Sequence, residues 1–374
     1  MPKFPIFLVG VVIASLAVAA AADPAPTTAP APRPPLDAST PITLEVRDEP
    51  IESVLDKLTQ ISGMKVIYKA DPPAATTRRI TLLAQQEHFW EVIDDICDQC
   101  NGDCSIAGDG GQVEIHTLSA GVRPPACVAG PLRFTSGQIE HLDDLTAADP
   151  DYCTVWLTAD IEPRVRPLFY VNAVAAGAAE DENGLSLAPP AGASLNDPRQ
   201  PPNPLNPDHF AVMPDQHARN IGFAVRIAVP PTAGRHIAVL QGTLQLWVAD
   251  GDETFEFDHP DTTGKTPSPA TLPSGMNVAL RQEGTDTLSL GVLHQGRSDP
   301  QWKLDELRVQ VAQLWIIDSA GNRSSIAPNG GASWGSTEHW CNFSPPQQTG
   351  KIVAQIPIPR EIDIPFDFRN LPLP

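Results

Sequence analysis

Gly331-Ala-Ser333-Trp-Gly335 has the spacing of a nucleophile elbow, in which a serine sits on a sharp turn between a strand and a helix. That chemistry needs an acid and then a histidine further along the chain. Here the flanks, Asn329-Gly330 and Ser336-Thr337, read as loop. The only later histidine, His339, precedes Asp363, so the order is wrong for the relay. Gly264-Lys265-Thr266 ends like a phosphate loop, but His259 stands where the first glycine is required. Neither motif predicts catalysis, and the expectation is a chain without enzymatic activity and without a cofactor.

Cys97-x2-Cys100-x3-Cys104 has zinc-ligand spacing, with Cys127 or His116 available as a fourth ligand. The acidic turns Asp250-Gly-Asp252-Glu253 and Glu180-Asp-Glu-Asn183 could gather oxygen ligands for calcium, yet neither has the spaced register of a calcium loop. A solvated hairpin turn explains both. Trp302, Trp334 and Trp340 are candidate sugar-stacking residues, with core packing as the competing role.

The cysteine chemistry depends on compartment. Lys3, the uncharged stretch Phe4 to Ala20 and Ala20-Ala-Ala22 before Asp23 have the order of a secretory signal peptide, expected to be residues 1–22. In an exported chain cysteines form disulfides before they bind zinc. Cys97, Cys100, Cys104, Cys127, Cys153 and Cys341 are therefore disulfide candidates and no metal site is expected. The expected pairing joins Cys104 to Cys97 or Cys100, the other of those two to Cys127, and Cys153 to Cys341. The formal net charge is −20 and becomes one unit more negative without Lys3. Such a chain is repelled by phosphate backbones and anionic membrane surfaces, which excludes nucleic acid as a partner. No later segment is apolar for long enough to insert stably in a membrane.

The elements that would position these residues fall into blocks. Residues 23–40, DPAPTTAPAPRPPLDAST, read as a stiff Pro-rich linker. Ile42 to Val46 alternates as a strand. Ile51, Val54, Leu55, Leu58 and Ile61 recur at helical spacing up to Gly63. Met64 to Tyr68 and Ile80 to Leu83 are further strands. Phe89, Trp90, Ile93, Ile96, Cys97 and Cys100 form a second helical stripe stopped by Asn101-Gly102, and a hairpin follows across Gly108 to Gly111. Residues 41–117 are thus expected as a small α+β domain, β-α-β-β-α-β-β.

The runs ITLEVRDEPIESVLDKLTQISGMKVIY, ITLLAQQEHFWEVIDDI and SIAGDGGQVEIH resemble the short N-terminal domain shared by secretins and TonB-dependent receptors. The resemblance spans residues 42–116. It implies a protein-interaction module of the bacterial periplasm or cell surface, whose partner is an envelope protein or a second copy of itself. The pore and receptor activities do not carry over, because the remaining sequence lacks the segments of about ten alternating residues of a membrane barrel. The whole arrangement also resembles bacterial secreted proteins ending in a Pro-Phe-x-Phe tail, here Ile364 to Pro374, a likeness that implies no activity.

Residues 118–131 read as a second linker. From 132 to 374 the pattern is all β, rich in proline (41 in the whole chain), which cannot donate into a ladder. This region is expected as a β-sandwich of one or two immunoglobulin-like units, residues 132–260 and 275–374. Asp250-Gly-Asp252 and Asp318 to Asn322 are predicted hairpin turns, Leu307 to Ile317 a strand, and Ala188 to Arg219 a long insertion. The function expected is that of a non-enzymatic exported envelope protein, with a carbohydrate- or peptide-binding sandwich as the alternative and an exported hydrolase as a third reading that the missing triad disfavours.

Overall fold

The computed structural model describes residues 35–69, 78–107, 111–118, 123–142, 152–189, 210–213, 218–257, 270–283, 287–293, 301–334, 338–344 and 350–373. The signal peptide and most of the first Pro-rich linker lie outside the described residues, as do Ser336-Thr337 and the Gly264-Lys265-Thr266 motif.

The small domain runs β1 (Pro41–Pro50), α1 (Ile51–Ser62), β2 (Lys65–Lys69), β3 (Arg79–His88), α2 (Phe89–Cys100), β4 (Gly102–Ile106) and β5 (Gln112–Thr117). Alternation explains β1 and β3: Ile42, Leu44, Val46, Ile80, Leu82 and Ala84 all turn inward. The two pair antiparallel as a two-stranded ribbon, whose register slips where Asp48 and Gln86 take left-handed backbone. The helices end where Gly63 and Asn101 adopt positive φ, 69° and 51°. β2 and β4 flank β5 in a separate three-stranded sheet. The apolar stripes of both helices join both sheets in one core that includes Trp90, Ile93 and Val113.

The β region adds β6 (Ala126–Ala129), β7 (Leu132–Leu142), β8 (Tyr152–Ile161), β9 (Pro167–Val171), β10 (Ala173–Asp181), β11 (Phe210–Val212) and β12 (Asn220–Ala228). β13 (His236–Phe257), β14 (Ala270–Thr271), β15 (Asn277–Glu283), β16 (Thr287–Leu293) and α3 (Gln301–Gln310) follow. The chain closes with β17 (Gln313–Ile317), β18 (Arg323–Ile326), β19 (Pro328–Trp334), β20 (Glu338–Phe343) and β21 (Lys351–Pro372). The region is β-rich and multi-sheeted. One sheet runs β18-β17-β21-β13-β10-β12-β8-β7-β6, with β9 and β11 beside β13; the other runs β14-β15-β16-β20-β19.

β13 and β21 organise everything else. Each is 22 residues long, and they pair antiparallel from His236 opposite Pro372 to Phe257 opposite Ile352. Their upper part serves one core with Phe134, Val155 and Phe223. Their lower part serves a second core with Leu290, Leu314 and Phe343. Gly242 stands opposite Phe366, and an added Cβ would lie 2.4 Å from the ring, so glycine is what lets the aromatic lie across the strand.

Four expectations are corrected here. Asp250-Gly-Asp252 is a bulge within β13, absorbed by Gly251 at φ +111°, because the partner strand continues past it. Leu307 belongs to α3, and only Gln313 to Ile317 is strand; Leu304, Leu307 and Val311, at helical spacing, pack toward Phe169 and Trp247. The division at 260/275 fails because both cores share β13 and β21. The linker expected at 118–131 is partly β6, paired to β7.

Candidate functional site

Two arginines and one glutamate join the small domain to the β region. Arg133 on β7 is only 1% exposed. Its guanidinium donates to Asp94 of α2 at 2.8 Å and to Asp103 of β4 at 2.9 Å, and lies 3.8 Å from Asp160 of β8. Arg123 pairs with Asp94 and with Asp98 at 2.7 Å. Burial, then the charge of Arg133, pushes Arg123 down to about 10. Burial raises Asp160, while Asn220 donates to it at 2.6 Å. Arg133 is held above its ordinary value: desolvation opposes the charge, but the surrounding thiols and carboxylates outweigh it.

Glu162, fully buried, receives Ser39 Oγ (2.8 Å), Thr40 N (3.0 Å), Thr40 Oγ1 (2.7 Å) and Arg164 Nε (2.6 Å). Trp90 donates its Nε1–H to the Pro131 carbonyl at 3.0 Å. The stretch leading into β1 and the start of α2 are therefore each fastened to the β region. A buried pair with every partner in place resists separation, because removing one member strands the others in low dielectric.

A second cluster has the residue types of nucleophilic catalysis. His339 Nε2 lies 3.3 Å from Cys341 Sγ, and His339 Nδ1 lies 3.7 Å from Glu306 Oε1. His339 and Cys341 share one face of β20, two residues apart, and face α3. Burial and Glu306 push the Cys341 thiol up to about 12, and burial with the charge of Lys303 holds His339 down to about 4. A neutral thiol beside a weakly basic imidazole is a poor nucleophile. This row packs α3 against its sheet. Sequence spacing gave no sign of it, since Glu306 approaches from a helix not expected from the sequence, whose end, from Leu307, reads as strand.

The residues singled out by sequence separate in space. Cys97, Cys100 and Cys104 lie in the small-domain core. Cys127 packs against the first β core instead, its thiol taking the Asp367 N–H and pushed up to about 11 by burial. Cys153 belongs to the first β core and Cys341 to the second, so the residues of the expected Cys153–Cys341 bond, like Cys127 and the α2 cysteines, lie in different cores. Cys97, Cys100, Cys104, Cys127 and Cys341 are free thiols. Among the described residues no group of His, Cys, Asp and Glu is arranged to hold a metal.

The acidic turns also have partners. Asp252 pairs with Arg166 and accepts from Gln355 at 2.8 Å. Glu253 accepts Ser274 Oγ at 2.7 Å and pairs with Arg308. Asp181 accepts the Asn183, Leu185 and Gly234 N–H groups. Ser333 lies on β19, a strand rather than an elbow. Trp340 is buried, with the Arg281 guanidinium 3.8 Å from its ring centre. The side chains of Trp302 and Trp334 lie outside the described residues.

A shallow recess bounded by Arg166, Leu168, Met213, Asp252 and Val311 has about 10 Å³ of free space, room for one water. Among the described residues Ile61, Leu83, Trp156 and Ile358 are exposed large apolar side chains. Leu83, 60% exposed, stands on the outer face of the β1–β3 ribbon opposite Glu45. Trp156, 43% exposed, stands on the outer face of β8 opposite Ala224, with Gly137 beside it.

No protein-family model matches this chain, and no curated protein matches it. Among solved structures it is similar to the T6 backbone pilin of serotype M6 Streptococcus pyogenes, described as a modular three-domain structure decorated with variable loops and extensions. The identity is 10% and the TM-score 0.13, over 70% of this chain and 57% of the pilin chain. The chain thus spans little more than half of that pilin's length, and a likeness at this level carries no argument. Among the described residues no helix is long and apolar enough to cross a membrane.

Proposed function

We propose that this is a non-enzymatic exported envelope protein whose small domain, of the secretin and TonB-receptor type, presents a binding face on a rigid β support. The observation that carries the reading is the pairing of a buried ionic junction with an open ribbon. Arg133 and Glu162 hold the small domain in place, while β1 and β3 pair only with each other among the described residues. Such a ribbon has unpaired backbone edges that a partner strand can extend, and Leu83 supplies an apolar contact at its centre.

The test places a photo-crosslinking residue at position 83 of the full chain, in envelope extract, with position 319 in an exposed turn as control. Cross-linked species at 83 beyond those at 319, reduced in Glu45→Lys, support the reading. Equal labelling at both positions overturns it.

A second reading is favoured by Trp156. An exposed indole with small neighbours is a platform on which a sugar ring can stack. Binding on a glycan array that Trp156→Ala abolishes would support a carbohydrate-binding β region; an unchanged array profile would refute it.

A further inference from the structure

α2 and β4 are joined by one turn. α2 carries Cys97 and Cys100 in its last turn, Asn101 reverses the chain at φ 51°, and β4 brings Cys104 back against the helix. The Cys97 side chain interacts with that of Cys104, and both lie in the small-domain core. Cys100 is directed elsewhere: its thiol donates to the Cys97 carbonyl at 3.5 Å, and a Cβ added at Gly102 would sit 2.9 Å from its sulfur. Cys127 faces the other core. Of the thiols expected to partner Cys104, the one in contact is therefore Cys97. The Arg133 guanidinium interacts with both sulfurs and also joins Asp94 of α2 to Asp103 of β4. In the folded protein Cys104 and burial hold the Cys97 thiol well above its ordinary value, and Arg133 offsets this only in part, so the thiolate that attacks disulfides forms before the core closes.

We propose that Cys97 and Cys104 form a dithiol–disulfide site, oxidised by exchange with a low-molecular-weight or protein disulfide, with Cys100 remaining a thiol. The Cys104 thiolate attacks one sulfur of the oxidant and expels the other as thiolate. The Cys97 thiolate then attacks the Cys104 sulfur of this mixed disulfide, forming the Cys97–Cys104 bond and releasing the second oxidant thiolate. Two protein thiols lose two electrons and two protons; the oxidant disulfide gains both. Cys97 is fully buried and Cys104 nearly so, which places the exchange in the folding chain, before α2 closes over β4. The bond then links the same two elements that Arg133 links by charge. This site stands independently of the partner-binding reading.

The test refolds the full chain, reduced and denatured, with oxidised glutathione, then blocks remaining thiols with N-ethylmaleimide in denaturant and maps peptides. The expected product has Cys97 joined to Cys104 and Cys100 alkylated. Cys100→Ser should oxidise as the parent does, and Cys104→Ser should leave Cys97 alkylated. The oxidised protein should melt about 2–4 °C above the reduced one, from closing a short loop in a chain of this size. A Cys100–Cys104 bond, a Cys97–Cys127 bond, or full alkylation of Cys97 and Cys104 in natively refolded protein would each overturn the assignment. So would a Cys100→Ser variant that no longer oxidises.

Discussion

At His339, burial and the charge of Lys303 act together against protonation. The folded imidazole is held down to about 4, against an ordinary 6.5 in the unfolded chain. Between those values the unfolded chain takes up a proton that the native protein refuses. Its contribution to stability is therefore complete above pH 6.5 and drains away as pH falls toward 4, an effect of ~3 kcal/mol at most. Carboxylates held low by partners, such as Glu253 with Ser274 and Arg308, lose their contribution only at still lower pH. The difference between the parent and His339→Gln isolates the histidine. The parent's denaturation midpoint should fall more steeply than the variant's from pH 6.5 to 4, and parallel curves would refute this account. None of it was legible in the sequence. A lone histidine two residues before a cysteine says nothing until the helix carrying Glu306 and Lys303 is in place.

At the scale of elements, local pattern served the small domain well. Helical stripes with Gly63 and Asn101 as stops, and strict alternation in β1, mark burial that the chain's own neighbours satisfy. In the β region the pattern misled where strand partners come from far along the chain. Asp250-Gly-Asp252 has the chemistry of a tight hairpin turn, and only the continuous partner β21 makes it a bulge. The Leu304, Leu307 and Val311 spacing was helical, but the β-like flank obscured it. Gly251 is open to test, because at φ +111° side chains rarely fit, while the nearest atom to an added Cβ, Ile358 Cδ1, is 3.9 Å away. Gly251→Ala should therefore cost ~1–3 kcal/mol through backbone conformation alone. An unchanged melting temperature would show that the bulge relaxes freely.

For the whole molecule, the junction around Arg133 and Glu162 decides how many parts the protein has in solution. A free linker would let the small domain unfold by itself. The buried junction couples it to the β region, so near-ultraviolet and far-ultraviolet signals should report a single denaturation transition. Arg133→Met leaves buried Asp160 without a cation and Asp94 and Asp103 with Arg123 alone, and should cost ~3 kcal/mol, separating the small domain's transition from the rest. Two transitions in the parent, or one unshifted transition in Arg133→Met, would contradict the coupling. The sequence showed which residues were charged but gave no hint that Asp94 and Asp160, 66 positions apart, would share one guanidinium.

The long β13–β21 pair also has a consequence for the order in which the chain can acquire its shape as it is made. β13 is complete by residue 257, yet the strand that covers its flank begins at residue 351 and ends at residue 372. Until those last residues emerge, β13 is an apolar edge with unsatisfied backbone groups along 22 residues, and both β cores lack a wall. The nascent chain must therefore wait with its stickiest strand uncovered. Keeping that strand apart from other copies until β21 is made is the folding problem this pairing sets.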